Sequence, residues 1–391
     1  MGGTGPDIDG SPSLPGRRIA VAGGTGGHPS PGRSVESNEA LDVPMSQPRR
    51  LLILTDGYHD PHTAKTAVCV LRYRPEEVVA VLDRSQAGTT CGQLFGTGGA
   101  IPVVGAVAEA EGANALLIGI APPGGKIPAP WRAIIFEAID RGLDIVSGLH
   151  DFLADDAEFS AAARRRGVRL VDLRRSEFFE VAQGRGLRAE CLRIHTMAND
   201  CSCGKMVTSV EVAEGLRRRG VDAAFVATGQ TGMLVAGGGI AIDRVIADFV
   251  SGAAEKLVLD NQHHEVIVVE GQGSLNHPRY SGVTLGLLHG VMPDGIILGY
   301  EMGRTTVQGM EGFPLPPLAA VKDFCEAAAN LIHPSRVIGI AINGHAYGDA
   351  EVDAERQRVA AEFGLPACDV IRHGPDALVD AVLTLKRELG K

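Results

Sequence analysis

Short apolar runs alternate with longer segments of helical periodicity from residue 51 nearly to the end of the chain, a pattern that predicts parallel α/β architecture. Residues 51–54 read as a strand closed by the turn Thr55-Asp56-Gly57, residues 63–73 as a helix, and residues 78–82 as a second strand ending at Asp83. Residues 115–120 are a further apolar run before the turn Ala121-Pro122-Pro123-Gly124-Gly125, followed by a helix over 130–141 and a strand at 145–146. Strands that are apolar on both faces and separated by helices belong to a covered parallel sheet. Residues 49–175 are therefore expected to form a Rossmann-like domain. It lacks a G-x-G-x-x-G turn, so no dinucleotide site is inferred. Asp83, at a strand end, is placed either to hold a ribose hydroxyl or to be solvated.

Residues 171–190, with several arginines and Gly184 and Gly186, read as the connection to a second domain at 188–391. There the rhythm continues, with strands at 191–196, 223–227, 266–269, 295–298 and 337–342. Helices are expected at 204–219, 242–256, 318–332, 353–363 and 375–389. Residues 1–48 are rich in Gly, Pro and Ser without apolar periodicity and are expected to be a disordered tail, with Met45 standing just ahead of the first strand. Within it, Gly23-Gly24-Thr25-Gly26-Gly27-His28 has the look of a nucleotide turn, but Pro29 and Pro31 forbid the helix such a turn must open.

Composition narrows the function classes. The chain is 45% hydrophobic but only 4% aromatic, with 51 glycines, which suits a Val/Ile/Leu/Ala core punctuated by tight turns. A net charge of −10 argues against a nucleic-acid partner. The runs Arg164–Arg166 and Arg217–Arg219 each precede a Gly and read as helix C-termini complementing the dipole. Seven cysteines without C-x-x-C spacing suit a reducing compartment. No apolar run reaches the ~18 residues needed to cross a bilayer, and the N-terminus has no signal-peptide core. A cytoplasmic protein with no membrane partner is expected. The apolar, weakly charged second domain permits a homo-oligomer.

The strongest chemical signal is Ala198-Asn199-Asp200-Cys201-Ser202-Cys203-Gly204-Lys205-Met206-Val207-Thr208, set between a strand and a helix. Loop N–H groups, the positive end of a helix and a Lys ammonium together gather phosphate oxygens. The loop departs from G-x-x-x-x-G-K-[S/T] at two positions. Asn199 stands where the first Gly is expected, and Met206 stands where a hydroxyl would hold Mg²⁺. Thr208 points about 200° away round the helix and does not replace it. Asn199 to Met206 are thus the expected phosphate- or nucleotide-binding residues, joined by Asn343 after the strand at 337–342, whose amide suits a base edge. A second strand ends in Glu270-Gly271-Gln272-Gly273, placing a carboxylate where it can act as base or, in a Mg²⁺-dependent enzyme, as metal ligand. A third ends in Thr228-Gly229-Gln230-Thr231-Gly232. The glycine-rich turns at 229–232 and 271–273 offer N–H groups to an oxyanion. His277 and His289 are candidate bases. Gln230, Thr231 and Arg304 are candidate substrate ligands, a guanidinium being well suited to a carboxylate. Cys201 and Cys203 are read as packing or backbone residues rather than nucleophiles.

Several stretches together resemble a family long catalogued as a domain of unknown function, with a Rossmann-like N-terminal domain and a P-loop C-terminal domain. They are Trp131-Arg132, Gly142 to His150, Asp200 to Lys205, Ala227 to Gly232, Glu270 to Leu275 and Tyr280 to Gly290. The resemblance is closest to a branch of D-glutamate N-acetyltransferases that use acetyl-CoA. The second domain is also similar to dethiobiotin synthetase and cobyrinic-acid amidating enzymes, whose loop reads G-T-D-x-x-x-G-K-T and whose third strand ends in E-G. Asp200, Gly204, Lys205, Glu270 and Gly271 match that pattern; Ala198, Asn199 and Met206 do not. The fold class expected is α/β, a Rossmann-like domain followed by a P-loop NTPase-like doubly wound domain. The resemblance implies acetyl transfer from acetyl-CoA to a small-molecule amino acid. ATP–Mg²⁺-dependent activation of a carboxylate and a non-catalytic nucleotide sensor remain alternatives, and nothing in the loop's spacing separates CoA from ATP.

Overall fold

A computed structural model describes residues 48–60, 63–122 and 124–391. The tail expected over residues 1–48, with its glycine run at 23–28, lies outside them but for Pro48.

The first sheet is built by β1 (Leu51–Leu54), α1 (Lys65–Tyr73), β2 (Val78–Leu82), α2 (Cys91–Phe95), β3 (Val103–Val104), β4 (Ala115–Ile118), α3 (Trp131–Asp140), β5 (Asp144–Ser147), α4 (Ala157–Arg166) and β6 (Leu170–Asp172). Its strands run parallel in the order β3-β2-β1-β4-β5-β6, the Rossmann order. Every residue of β1 and β4 is buried, which is why these strands read as unbroken apolar runs. The arginine run before Gly167 does close a helix. Asp156 caps α4 by accepting from the N–H groups of Glu158 and Phe159, and Gly167 ends it at φ +70°. The connection expected at 171–190 therefore begins inside the sheet, in β6. Asp83 is not a free ribose ligand. Its carboxylate accepts from the Gly57 N–H at 3.1 Å and from Ser85 N–H and Oγ, holding the turn after β1.

The second sheet comprises β7 (Leu192–Ala198), α5 (Lys205–Arg218), β8 (Ala223–Val226), α6 (Gln230–Ala236), α7 (Val250–Asn261), β9 (Val266–Val269), α8 (Ser281–Val291) and β10 (Gly295–Glu301). A hairpin of β11 (Thr306–Val307) and β12 (Met310–Pro314) follows, then α9 (Leu318–Asn330), β13 (Arg336–Asn343), α10 (Asp349–Phe363), β14 (Ala367–Cys368) and α11 (Asp376–Leu389). The parallel strand order is β14-β13-β10-β7-β9-β8. One face carries Leu192, Ile194, Val266 and Val268 against α5 and α11; the other packs Ile267 and Val269 against α7 and α8. The helix expected over 242–256 starts only at Val250. Ile242 donates its N–H to the Thr228 carbonyl and Arg174 pairs with Asp243, so residues 242–249 fold as tight turns instead. Among the described residues, no helix is long and apolar enough to cross a membrane.

The two sheets meet through α1 and α6. Leu234 of α6 enters the core that α1 shares with β1 and β4. Thr66 and Thr231 share a buried hydroxyl hydrogen bond of 3.0 Å, and Tyr73 donates to Glu211 of α5 at 2.9 Å. Arg49 and Arg74 donate to the carbonyls of Leu234 and Val235, satisfying the free C-terminal end of α6. This seam decides which residues of the first domain face the P-loop.

Candidate active site

Because the second sheet is parallel throughout, β7, β8 and β9 all end on one edge, the side on which such sheets bind ligands. β7 delivers the loop and α5 begins at Lys205. Ser202 and Gly204 take φ of +55° and +91°, a left-handed geometry that turns successive N–H groups toward a common point. The N–H groups of Ser202, Cys203 and Gly204 have no acceptor among the described residues. The buried Lys205 folds back, its Nζ donating to the Asp200 carbonyl at 2.8 Å. Free N–H groups, a helix start and an ammonium held by its own loop make a site fitted to phosphate oxygens.

Asp200 braces this loop from a fully buried position. Its Oδ1 accepts from the Cys201 N–H at 2.7 Å, and its Oδ2 from the Gln308 N–H at 2.8 Å and Arg304 Nη1 at 3.0 Å. Arg304 also holds the Cys201 carbonyl at 2.7 Å and pairs with Glu301. The guanidinium expected to bind substrate is thus committed to the loop, since two carboxylates already neutralise it. His277 lies 3.8 Å from Asp200 Oδ1, so Asp200, Cys201 and His277 bring three metal-type donors within 4.8 Å. The chemistry of the set speaks against a cation. His277 Nδ1 accepts from the Arg279 N–H at 3.0 Å, which leaves the ring proton on Nε2 and no lone pair free on either nitrogen. Burial lowers the His277 pKa, so the ring is a neutral brace. Burial also pushes the loop thiols up, Cys203 to about 11, outweighing the nearby charges of Lys205 and Arg304; neither is a ready thiolate.

Glu270 follows β9 and is buried. Its Oε2 accepts from the N–H groups of Thr228 at 3.0 Å and Gly229 at 3.1 Å. Burial nevertheless dominates and pushes the carboxyl up to about 7, against those two donors and the charges of Lys205 and Lys65. Two glycines make room for this arrangement. A Cβ on Gly232 would stand 2.3 Å from Glu270 Oε2, and one on Gly271 would stand 1.8 Å from the Thr196 carbonyl oxygen. The second overlap is with backbone and no rotamer relieves it. Gly271→Ala is expected to destabilise the protein by roughly 2–4 kcal/mol in a denaturant titration; a loss within 0.5 kcal/mol would contradict this packing. The oxyanion donors expected in these turns are partly taken: Thr228 and Gly229 serve Glu270, and Gly271 donates to Thr196 Oγ1 at 3.1 Å.

The same edge does not gather every expected residue. His289 sits in the last turn of α8, its Nε2 bonded to the Ala328 carbonyl of α9 at 3.1 Å, a helix-to-helix contact. Asn343 ends β13, two strands from β7 across β10, and its Oδ1 is turned to His345. Gln230 accepts from Arg174 at 2.7 Å, and Thr231 bonds Thr66. Two important residues were missed in the sequence. Arg174 holds the Gly148 carbonyl of its own domain at 2.6 Å and crosses the seam to Gln230 and to Asp243. Lys65, the first residue of α1, lies within electrostatic reach of Cys201, Lys205 and Glu270. Gly148 was the available signal: a Cβ there would meet Gln230 Cγ at 2.5 Å, marking a close approach between domains.

Comparison with known proteins agrees with a Rossmann-like domain followed by a P-loop domain. Residues 180–379 match the family described as "Domain of unknown function (DUF1611_C) P-loop domain", and residues 84–176 match "Domain of unknown function (DUF1611_N) Rossmann-like domain". A protein of Tritonibacter scottomollicae named D-glutamate N-acetyltransferase is 37% identical over 85% of this chain and 97% of its own length. A protein of the same name from a Pseudoalteromonas species is 38% identical over 68% of this chain and 81% of its own. The crystal structure of a DUF1611 family protein from Anabaena variabilis superposes with a TM-score of 0.81 at 35% identity, covering 86% of this chain and 99% of that one.

Proposed function

This chain belongs to the DUF1611 family, and we propose that it is an N-acetyltransferase, moving the acetyl group of acetyl-CoA to the amino group of a small acidic amino acid such as D-glutamate. The observation that carries the reading is Glu270, a buried carboxyl with a pKa of about 7 beside a phosphate-type loop. A base poised near the working pH is what acyl transfer to an ammonium needs. The names of both relatives support the same chemistry.

Acetyl-CoA supplies the activated acyl group, and its diphosphate suits the free N–H groups of Ser202 to Gly204 and the Lys205 ammonium. Glu270 takes one proton from the substrate ammonium. The freed nitrogen bonds to the acetyl carbon, the C–S bond breaks, and the nitrogen's second proton leaves with the thiol. The donor set for Mg²⁺ is poor by contrast. Met206 replaces the metal's hydroxyl ligand, and the nearby hydroxyls of Thr196 and Ser209 bond each other at 2.8 Å. Asp200 is neutralised by Arg304, and Glu270 is half protonated near neutrality. No step is therefore routed through a metal.

The direct test is incubation with acetyl-CoA and D-glutamate in excess chelator. One CoA thiol should appear per N-acetylated product, with no nucleotide consumed. Activity lost to chelator, restored by Mg²⁺ and matched by ADP release would establish the ATP-dependent ligase instead.

A further inference from the structure

Lys65 is a cation that the first domain brings within electrostatic reach of the P-loop, and its position is well fixed. It opens α1, and the next residue, Thr66, is tied to Thr231 by the buried 3.0 Å hydroxyl contact. Thr231 lies in the first turn of α6, directly after Thr228 and Gly229, whose N–H groups hold Glu270. A second tie, Arg174 to Gln230 and to the Gly148 carbonyl, fixes the same turn. Lys65 thus stands on a fixed support within electrostatic reach of the proposed base.

The other cations of the site are neutralised or held. Arg174 pairs with Asp243, Arg304 pairs with Asp200 and Glu301, and Lys205 donates to its own loop. Lys65 is half-buried, and among the described residues it has neither an ion-pair partner nor a hydrogen-bond acceptor. Burial and the like charges of Arg174 and Lys205 both disfavour its charged form. A partly buried ammonium with no carboxylate bonded to it is costly to keep. An anion arriving with the substrate removes that cost.

We infer that Lys65 holds the side-chain carboxylate of the amino-acid substrate and so selects acidic over neutral amino acids, with the substrate lying across the seam between the domains. This rests on the acetyl-transfer reading above. The loop N–H groups and Lys205 gather phosphate from the second domain, whereas Lys65 comes from the first and lies within electrostatic reach of Glu270, the base that the reacting amine has to meet. A carboxylate on the same small molecule as that amine falls to Lys65.

The experiment compares the wild type with Lys65→Met and Lys65→Arg in steady-state acetylation of D-glutamate and of D-glutamine, which keeps the α-carboxylate but has an uncharged side chain. Titration calorimetry follows acetyl-CoA in parallel. Loss of one charge-assisted hydrogen bond predicts a roughly ten- to hundredfold rise in KM for D-glutamate in Lys65→Met. Its kcat should stay within a few-fold, its Kd for acetyl-CoA should not move, and the wild-type preference for D-glutamate should fall toward unity. Lys65→Arg should keep most of that preference, a rescue that a merely structural role would not give. If the methionine lowers the melting temperature, Lys65→Gln, polar and of similar size, takes its place. An undiminished preference in the uncharged variants would overturn the inference. So would a tenfold weaker acetyl-CoA affinity with the preference intact, since that would assign the ammonium to a CoA phosphate. A wild type that transfers no acetyl group at all would remove the acetyl-transfer reading itself, and this inference with it.

Discussion

Glu270→Gln should lower turnover roughly a hundred- to ten-thousand-fold, the range contributed by a positioned general base, while acetyl-CoA still binds. The amide keeps the shape of the carboxyl, and its oxygen can still accept from Thr228 and Gly229, so the turn is preserved. The pH profile identifies the cause. A base works only when deprotonated, so the wild-type kcat/KM should fall as pH drops through about 7. That limb should be absent from the residual activity of Glu270→Gln. A variant with unchanged turnover, or with the same limb, would remove Glu270 from the chemistry.

The same substitution has a stability signature of opposite sense. In the unfolded chain a Glu ionises near 4.5, whereas the buried carboxyl holds its proton to about 7. Between these values the folded state binds the extra proton, so wild-type stability falls as pH rises from about 4.5 to 7 and then levels off. That gap is worth about 3 kcal/mol for a fully buried group. Glu270→Gln never has to ionise, so its melting temperature relative to the wild type should climb across this window and stay higher above it. An enzyme that becomes more stable as it loses its base is the expected mark of a carboxyl kept buried for function.

How much of this was legible in the sequence follows from how local each signal is. The P-loop sits within one strand–loop–helix unit, so Gly204-Lys205 after the apolar run at 191–196 was enough to place it. Glu270 was equally plain, because a strand and the glycines that admit its carboxyl are contiguous. The α6 helix was not, since Thr228-Gly229-Gln230-Thr231-Gly232 reads as a loop; only packing of Leu234 into the first domain makes it helical. Lys65 and Arg174 were missed for the same reason at longer range. Nothing beside them in the sequence distinguishes them, and their meaning comes from a seam that joins residues of different domains. Arg304 and His277 show the reverse limit. Their residue types suggested substrate binding and catalysis, but the structure pairs Arg304 with Asp200, far away in sequence, and turns His277 Nδ1 to the Arg279 N–H.

Lys205→Met should weaken acetyl-CoA binding by about 1.5–3 kcal/mol, roughly ten- to hundredfold in Kd, and abolish measurable turnover. Methionine is the informative choice. The lysine stem runs beside Gly271, close enough that a Cβ there would stand 3.0 Å from Lys205 Cδ, and an unbranched side chain keeps that contact while losing the charge. The fold should survive, because among the described residues the ammonium's only bond is to the Asp200 carbonyl of its own loop. A second effect separates a catalytic site from an isolated phosphate site. Lys205 is one of the charges that hold the Glu270 carboxyl down against burial. Removing it should carry the Glu270 pKa above about 7, away from neutrality. The melting-temperature decline that Glu270 imposes should then extend to higher pH in Lys205→Met than in the wild type, and should vanish when Glu270→Gln is added. An unchanged Kd for acetyl-CoA would sink the P-loop assignment. A weakened Kd with an unmoved stability profile would leave the phosphate site standing but disconnect it from the base.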